Sequence, residues 1–367
     1  MTMLDLQLKQ SLPYITDGFP GIGGQLRLTP DHFVVEELPL YEAVGEGQHL
    51  YVSLTKVGLT TKEVQAQLEQ LFGLKRGDVS FAGMKDKQAR TTQTFSLNVG
   101  FQRAEFAEEA ATRIAEQLPV EVHWTRFHRN KLRPGHLLGN RFTVTVTQPA
   151  RDPTTAMSRA TAIGERLAAR GLPNYFGPQR FGSGGDNVHQ GLAILQGEPT
   201  RHNSWLRRFL ISAYQSFLCN RYLARRVGLG LFDRMLTGDV AKKHATGGMF
   251  QVEDGAVETP RLLAQEISFT APMYGPKMWA ATGEAGELEA AILAESPVGM
   301  DALAAVRVEG TRRMGRLLAT DVQITPAVED GLTLSFSLPK GAFATTLLRE
   351  FMKVDLGQTP EFDTDDV

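Results

Sequence analysis

The sequence predicts an α+β fold in which a second α+β domain is inserted into the first. Three observations point that way. The 367 residues exceed the roughly 250–300 at which a single core stops growing. Strand-like alternation fills much of the first third and returns strongly only at LTLSFSL (332–338). Between them, from about Gly171, the texture turns rich in glycine and arginine (PNYFGPQRFGSGGDN, 173–187). The expected division is a discontinuous domain over 1–170 and 320–367, with the insertion at 171–319.

The elements follow in order. QLRLTP (25–30), HLYVSLTK (49–56), QTFSLNV (93–99) and VEVHW (120–124) alternate apolar and polar residues, as half-buried strands do. Thr60 with Glu63 forms a capping-box pattern that opens a helix whose Val64, Leu68 and Leu71 share a face. NRFTVTVT (140–147) is a strand with Phe142, Val144 and Val146 on one side and threonines on the other. Helices are expected at TTAMSRATAIGERLAARG (154–171), at LRRFLISAYQSFLCNRYLARR (206–226) and at ATTLLREFMK (344–353).

Composition removes several function classes. Hydrophobic content of 42% and charged content of 22% are ordinary for a globular protein. No apolar run approaches the roughly 18 residues of a membrane span, and MTMLDLQLKQ lacks a signal peptide's apolar core. A cytoplasmic location is expected. A single cysteine, Cys219, excludes an intramolecular disulfide and a cysteine-based zinc cluster, and reads as a small buried hydrophobe. HExxH, GxSxG, GxGxxG and GK[ST] patterns are all missing, so no metal or cofactor is implied.

Net charge is only −2, yet the charges are segregated. Val122–Arg151 contains no acid but holds Arg126, Arg129, Lys131, Arg133, Arg141 and Arg151. Pro199–Phe232 is likewise acid-free and carries Arg201, Arg207, Arg208, Arg221, Arg225 and Arg226. The acids gather elsewhere, including the tail EFDTDDV. Such segregation builds local positive surface suited to a polyanion such as RNA.

Three constellations could carry chemistry. In FAGMKDK (81–87), Asp86 lies between Lys85 and Lys87, and neighbouring positive charge favours the carboxylate form needed of a nucleophile or base. A solvated charged turn is the plain alternative. In LRPGHLLGNRF (132–142), Asn140 enters a strand where its amide could meet the edge of a pyrimidine. In PKGAFATTLLRE (339–350), Phe343 follows a glycine turn and could stack on an extruded base. Phe343, and equally Phe33 in DHFVVEELP (31–39), could instead be core residues.

FAGMKDK with Thr91-x-x-x-Phe95, HRNKLRPGHLLGNRF, PNYFGPQRFG-x-GG-x-N, LISAYQSFL and LPKGAFATTLLRE together resemble tRNA pseudouridine synthase D, the TruD family, in the same order from about Thr29 to Lys353. Residues 227 to 300 resemble it only loosely. The resemblance implies a pseudouridine-synthase-type catalytic domain with a mostly antiparallel mixed sheet, carrying an inserted TRUD domain. It implies an isomerase that converts a uridine of tRNA, typically position 13, to pseudouridine on a flipped-out nucleotide. No cofactor, metal or obligate protein partner is implied. Asp86 then falls on the catalytic aspartate, acting at ribose C1′ or on a C2′ proton. Phe33, Asn140 and Phe343 become the residues that contact the uridine, with Arg27, Lys85 and Phe142 as further pocket candidates. Two rivals remain: a non-catalytic RNA-binding or RNA-folding protein that keeps the cleft, and a hydrolytic glycosidase that would release free uracil.

Overall fold

A computed structural model of the chain describes Leu8, residues 11–328 and residues 330–354. The acidic tail and the outer ends of the 1–170 and 320–367 segments lie outside the described residues. The chain forms two compact units. One is built from Ile22–Ser158 and Asp321–Gly341; the other contains Arg159–Thr320, the described residues up to Gly21 and those from Ala342 onward.

The first unit is organised by one mixed sheet. Its strands are β1 (Phe33–Pro39), β2 (His49–Lys56), β3 (Val79–Phe81), β4 (Arg90–Asn98), β5 (Val120–His128) and β6 (Leu137–Val146). They are joined later in the chain by the pair β13 (Gln323–Pro326) and β14 (Leu332–Pro339). Among the described residues the sheet has eight strands in the order β13-β14-β6-β1-β4-β2-β5, with β3 also on β4. Only β1 with β4 is parallel, so the expected mostly antiparallel mixed sheet is what forms.

Alternation in the strands decides which face is covered. Leu50, Val52 and Leu54 of β2, with Phe95 and Leu97 of β4, pack on helices α1 (Thr61–Phe72) and α2 (Phe106–Gln117) through Val64, Leu68, Ala110 and Ile114. The α1 terminus is fixed as its sequence predicts. Thr60 and Glu63 complete the capping box, and Gly73 closes the helix in the left-handed region. On the other face of the same strands stand Tyr51, Ser53, Thr92, Thr94 and Ser96, with exposed Trp124 and Arg126 on β5. QLRLTP does not become a strand. Only Gln25 pairs, in an isolated bridge to Thr147, and Arg27 then takes a φ of 60° that no extended strand allows.

Helix α3 (Pro153–Arg170) carries the chain into the second unit. There α4 (Asp186–Leu195) and the long α5 (Ser204–Gly228) pack together. Strand β10 (Ile267–Met273) lies against α5 and belongs to a sheet ordered β11-β10-β8-β9, with β8 (Val240–Lys243), β9 (Met249–Gln251) and β11 (Thr311–Met314). Short β7 (Leu172–Pro173) pairs with β12 (Arg316–Leu317). Helices α6 (Gly255–Leu263), α7 (Gly283–Ala294) and α8 (Met300–Ala305) complete this region.

The last helix, α9 (Ala344–Met352), was expected with the strand before it, yet it packs in the second unit. The reason is a buried carboxylate. Glu350 accepts hydrogen bonds from the Ile15 and Thr16 amides and the Thr16 hydroxyl, while Thr346 donates to the Tyr175 carbonyl. Cys219 is fully buried, and burial pushes its thiol up to about 12, which suits the inert role read from sequence.

A second buried charge fixes α5 to the residue that precedes β8. Arg226 and Asp239 are both sealed from solvent and form a bidentate pair with two 2.7 Å contacts. Burial would depress the guanidinium, but the Asp239 carboxylate and the Tyr222 hydroxyl beside it hold Arg226 above its ordinary value. Removing one partner strands the other charge. Asp239→Ala is expected to cost about 3–5 kcal/mol, read as a lower midpoint in thermal unfolding.

Candidate active site

The face of the sheet formed by β1, β6 and β14 carries the aromatic floor of the site. Residues directly opposite across an antiparallel pair share a face, and the register sets Phe33 against Val144, Val35 against Phe142 and Glu37 against Asn140. Phe142 stacks on Phe336 at 5.3 Å and meets Phe33 edge-on at 6.3 Å. All three rings are buried. Gly139 is required immediately before Asn140, because a β-carbon there would collide with the Leu338 backbone carbonyl. β6 and β14 can therefore close together and hold Asn140 opposite Leu338. The Asn140 side-chain oxygen is buried and accepts no hydrogen bond among the described residues.

Arg27 lies over this floor. Its guanidinium carbon sits 4.0 Å from the Phe33 ring centroid, and its Nη1 lies 3.0 Å from Asp86 Oδ2. The two side chains are only 5% and 13% exposed, so this ion pair is largely desolvated. Burial pulls the guanidinium down to about 10, with the Asp86 carboxylate acting in the opposite direction, and it remains a cation at neutral pH. The left-handed φ of 60° at a non-glycine residue is the kind of local strain that persists where the surroundings fix it.

Asp86 occupies the loop between β3 and β4. Its Oδ1 accepts the Gln88 amide at 2.9 Å, which closes a small turn and fixes the carboxylate plane. Its Oδ2 is shielded from solvent and accepts no hydrogen bond among the described residues. One oxygen thus orients the group while the other has lone-pair capacity for a substrate.

The flanking lysines do not supply the charge that faces Asp86, which corrects the reading of KDK as a local cluster. Lys85 turns to Glu37 in a buried pair at 2.8 Å, and the second Glu37 oxygen accepts the Thr94 amide. Lys87 reaches the exposed Glu63 at 3.3 Å. Each lysine is thus drawn to a carboxylate of another element, and neither is left to neutralise Asp86.

Phe343 belongs to the other unit, where it forms the N-cap of α9. Its ring lies 6.0 Å from Phe176, and Phe176 carries the Arg313 guanidinium over its face at 3.9 Å. Asn220 holds the Phe176 backbone from both sides, accepting its amide and donating to its carbonyl. Burial lowers both Arg180, to about 10, and Arg313. Phe176, Arg180 and Arg313 were not singled out from sequence; the alternation of aromatic residues and arginine in PNYFGPQRFG was the available signal for the first two.

The acid-free windows survive unequally. In the first, Arg126, Arg133, Arg141 and Arg151 are exposed, whereas Arg129 pairs with Glu46. In the second, Arg201, Arg207 and Arg208 are exposed, but Arg221 and Arg225 share Glu295 and Arg226 is sealed against Asp239. A window free of acids in sequence is not free of them in space. Among the described residues no group of three or more histidine, cysteine or acidic side chains gathers as a metal site, and no helix is long and apolar enough to cross a membrane.

Comparison with known proteins gives one consistent result. A family model described as tRNA pseudouridine synthase D (TruD) matches residues 10–204 and 200–351. A tRNA pseudouridine synthase D of Thermus thermophilus is 44% identical over 343 residues, covering 94% of this chain and 92% of that one. The protein of that name from Anaeromyxobacter sp. (strain Fw109-5) is 42% identical over 361 residues, covering 96% and 99%. A crystal structure from Methanosarcina mazei, assigned to TruD, superposes with a TM-score of 0.79 at 26% identity, covering 96% of this chain and 98% of that chain. Similarity of this extent places the chain in the tRNA pseudouridine synthase D (TruD) family.

Proposed function

We propose that this protein isomerises a uridine of tRNA to pseudouridine, with Asp86 as the catalytic carboxylate and position 13 as the target. The observation that carries the reading is the buried Arg27–Asp86 pair, in which one carboxylate oxygen is fixed by Gln88 and the other accepts no hydrogen bond among the described residues. The relatives named tRNA pseudouridine synthase D support the reaction class, and the ordered motif set supports position 13.

The chemistry is redox-neutral. The N1–C1′ bond breaks, the uracil turns, a C5–C1′ bond forms, and the C5 proton is lost as N1 gains one. The uridine must leave its stack for a carboxylate to reach the ribose, which costs a few kcal/mol. Asn140 suits the released base: its side-chain oxygen can accept N3–H while its amide donates to a carbonyl. Phe33 and Phe142 wall the pocket beside Arg27, and Lys85 supports the loop through Glu37. With a soluble tRNA as substrate, the protein is expected to work in the cytoplasm.

The direct test is nucleoside analysis of unmodified tRNA transcripts incubated with the protein. The reading expects uridine loss matched by pseudouridine gain at position 13, without free uracil. Uracil release would replace it with a glycosidase, and binding without conversion would replace it with a non-catalytic RNA-binding protein. Deuterium at ribose C2′ separates the two routes, because only proton removal at C2′ gives a primary isotope effect. Arg126, exposed on β5, is expected to contribute a phosphate contact. Arg126→Ala should weaken tRNA binding and reduce the slope of log affinity against log salt by about 1.

A further inference from the structure

We infer that Lys56 is a positioning residue for the reaction, acting through the backbone of the loop that carries Asp86. This rests on the proposed role of Asp86. Lys56 ends β2 on the side of the sheet that faces α1, and it is 1% exposed. Its ammonium donates to three backbone carbonyls: Leu59 at 2.7 Å, Asp86 at 3.0 Å and Lys85 at 3.3 Å. An ammonium carries three N–H donors, enough to serve all three carbonyls at once.

Two neutral side chains complete the cradle. Thr61, at the first turn of α1, accepts the Lys85 amide through its hydroxyl at 2.9 Å and donates to Gln93 Oε1 at 2.9 Å. Gln93 in turn donates to the Gly83 carbonyl at 3.2 Å, and the Gly58 amide donates to the Lys87 carbonyl at 3.1 Å. The loop backbone from Gly83 to Lys87 is therefore held from one side by β2, α1 and β4. Its one functional side chain is left to face Arg27.

The choice of residue argues for function over stability. A buried ammonium is costly to desolvate, and an apolar side chain of similar length often serves a core equally well. What an apolar side chain cannot do is fix the carbonyls on both sides of the Asp86 α-carbon. Misplacing a reacting group by about 1 Å can cost roughly 10²-fold in rate.

The test uses the full-length protein and an unmodified tRNA transcript, with kcat, KM, tRNA Kd and the thermal midpoint measured for each variant. Lys56→Met is expected to lower kcat by about 30- to 100-fold, with Kd within about twofold of wild type and the protein folded at the assay temperature. Lys56→Arg, which keeps donors and charge, should recover part of that loss, whereas Lys56→Gln should recover less. Should Lys56→Met fail to fold, Thr61→Val removes the acceptor of the Lys85 amide and is expected to lower kcat without raising Kd. A folded Lys56→Met or Thr61→Val protein with kcat within about twofold of wild type overturns the inference. So does a fall in kcat matched by an equal loss of tRNA affinity. If Asp86→Asn proves fully active, the proposed role of Asp86 fails first, and that result is distinct from any outcome at Lys56.

Discussion

Replacing Asp86 by asparagine is expected to lower kcat by at least about 10³-fold while tRNA affinity stays within about twofold. Asparagine is isosteric with aspartate, and its side-chain oxygen can still accept the Gln88 amide that orients the group. The loop is also held through its backbone by Lys56, Thr61 and Gln93. The substitution therefore removes charge and nucleophilicity with little change in shape. Release of tritium from C5-labelled uridine in tRNA reads the effect. Turnover within about tenfold of wild type would sink the assignment of Asp86.

The second large effect is expected at Arg27. Arg27→Met removes the cation 3.0 Å from Asp86 Oδ2 in a site where both side chains are nearly sealed from solvent. Oriented charges in such surroundings contribute far more than in water, and loss of one typically costs about 10²–10³-fold in kcat. Arg27→Lys keeps a charge but loses the planar face that lies over Phe33, so it is expected to fall between wild type and methionine. Single-turnover kinetics at saturating tRNA separates this loss from a binding defect. Equal rates for Met and Lys variants would show that the charge is dispensable. Equal rates for Lys and wild type would show that stacking on Phe33 contributes nothing.

Much of the fold was legible because its signals are local. The β2 strand begins and ends where its alternation does, and α1 starts at the residue its capping box names. α3 and α5 run within a few residues of their expected limits. QLRLTP failed for a nonlocal reason: strands need partners, and only Gln25 finds one. The C-terminal helix was recognised as a helix, but its destination rested on the Glu350 carboxylate meeting amides more than 330 positions away in sequence.

For the candidate site, the chain by itself determined the chemical inventory: Asp86 on a glycine-containing turn, Asn140 behind a glycine, Phe343 opening a helix, and an ordered motif set shared with one enzyme family. Tertiary structure decided the partners. It gave Asp86 the distant Arg27 in place of its own lysines, sent Lys85 to Glu37, and consumed half of the second arginine window in pairs with Glu295 and Asp239. The physical reason is that charge pairing follows distance in space. Carboxylates of other elements draw the lysines from their sequence neighbour, while strand register brings together residues from separate parts of the chain.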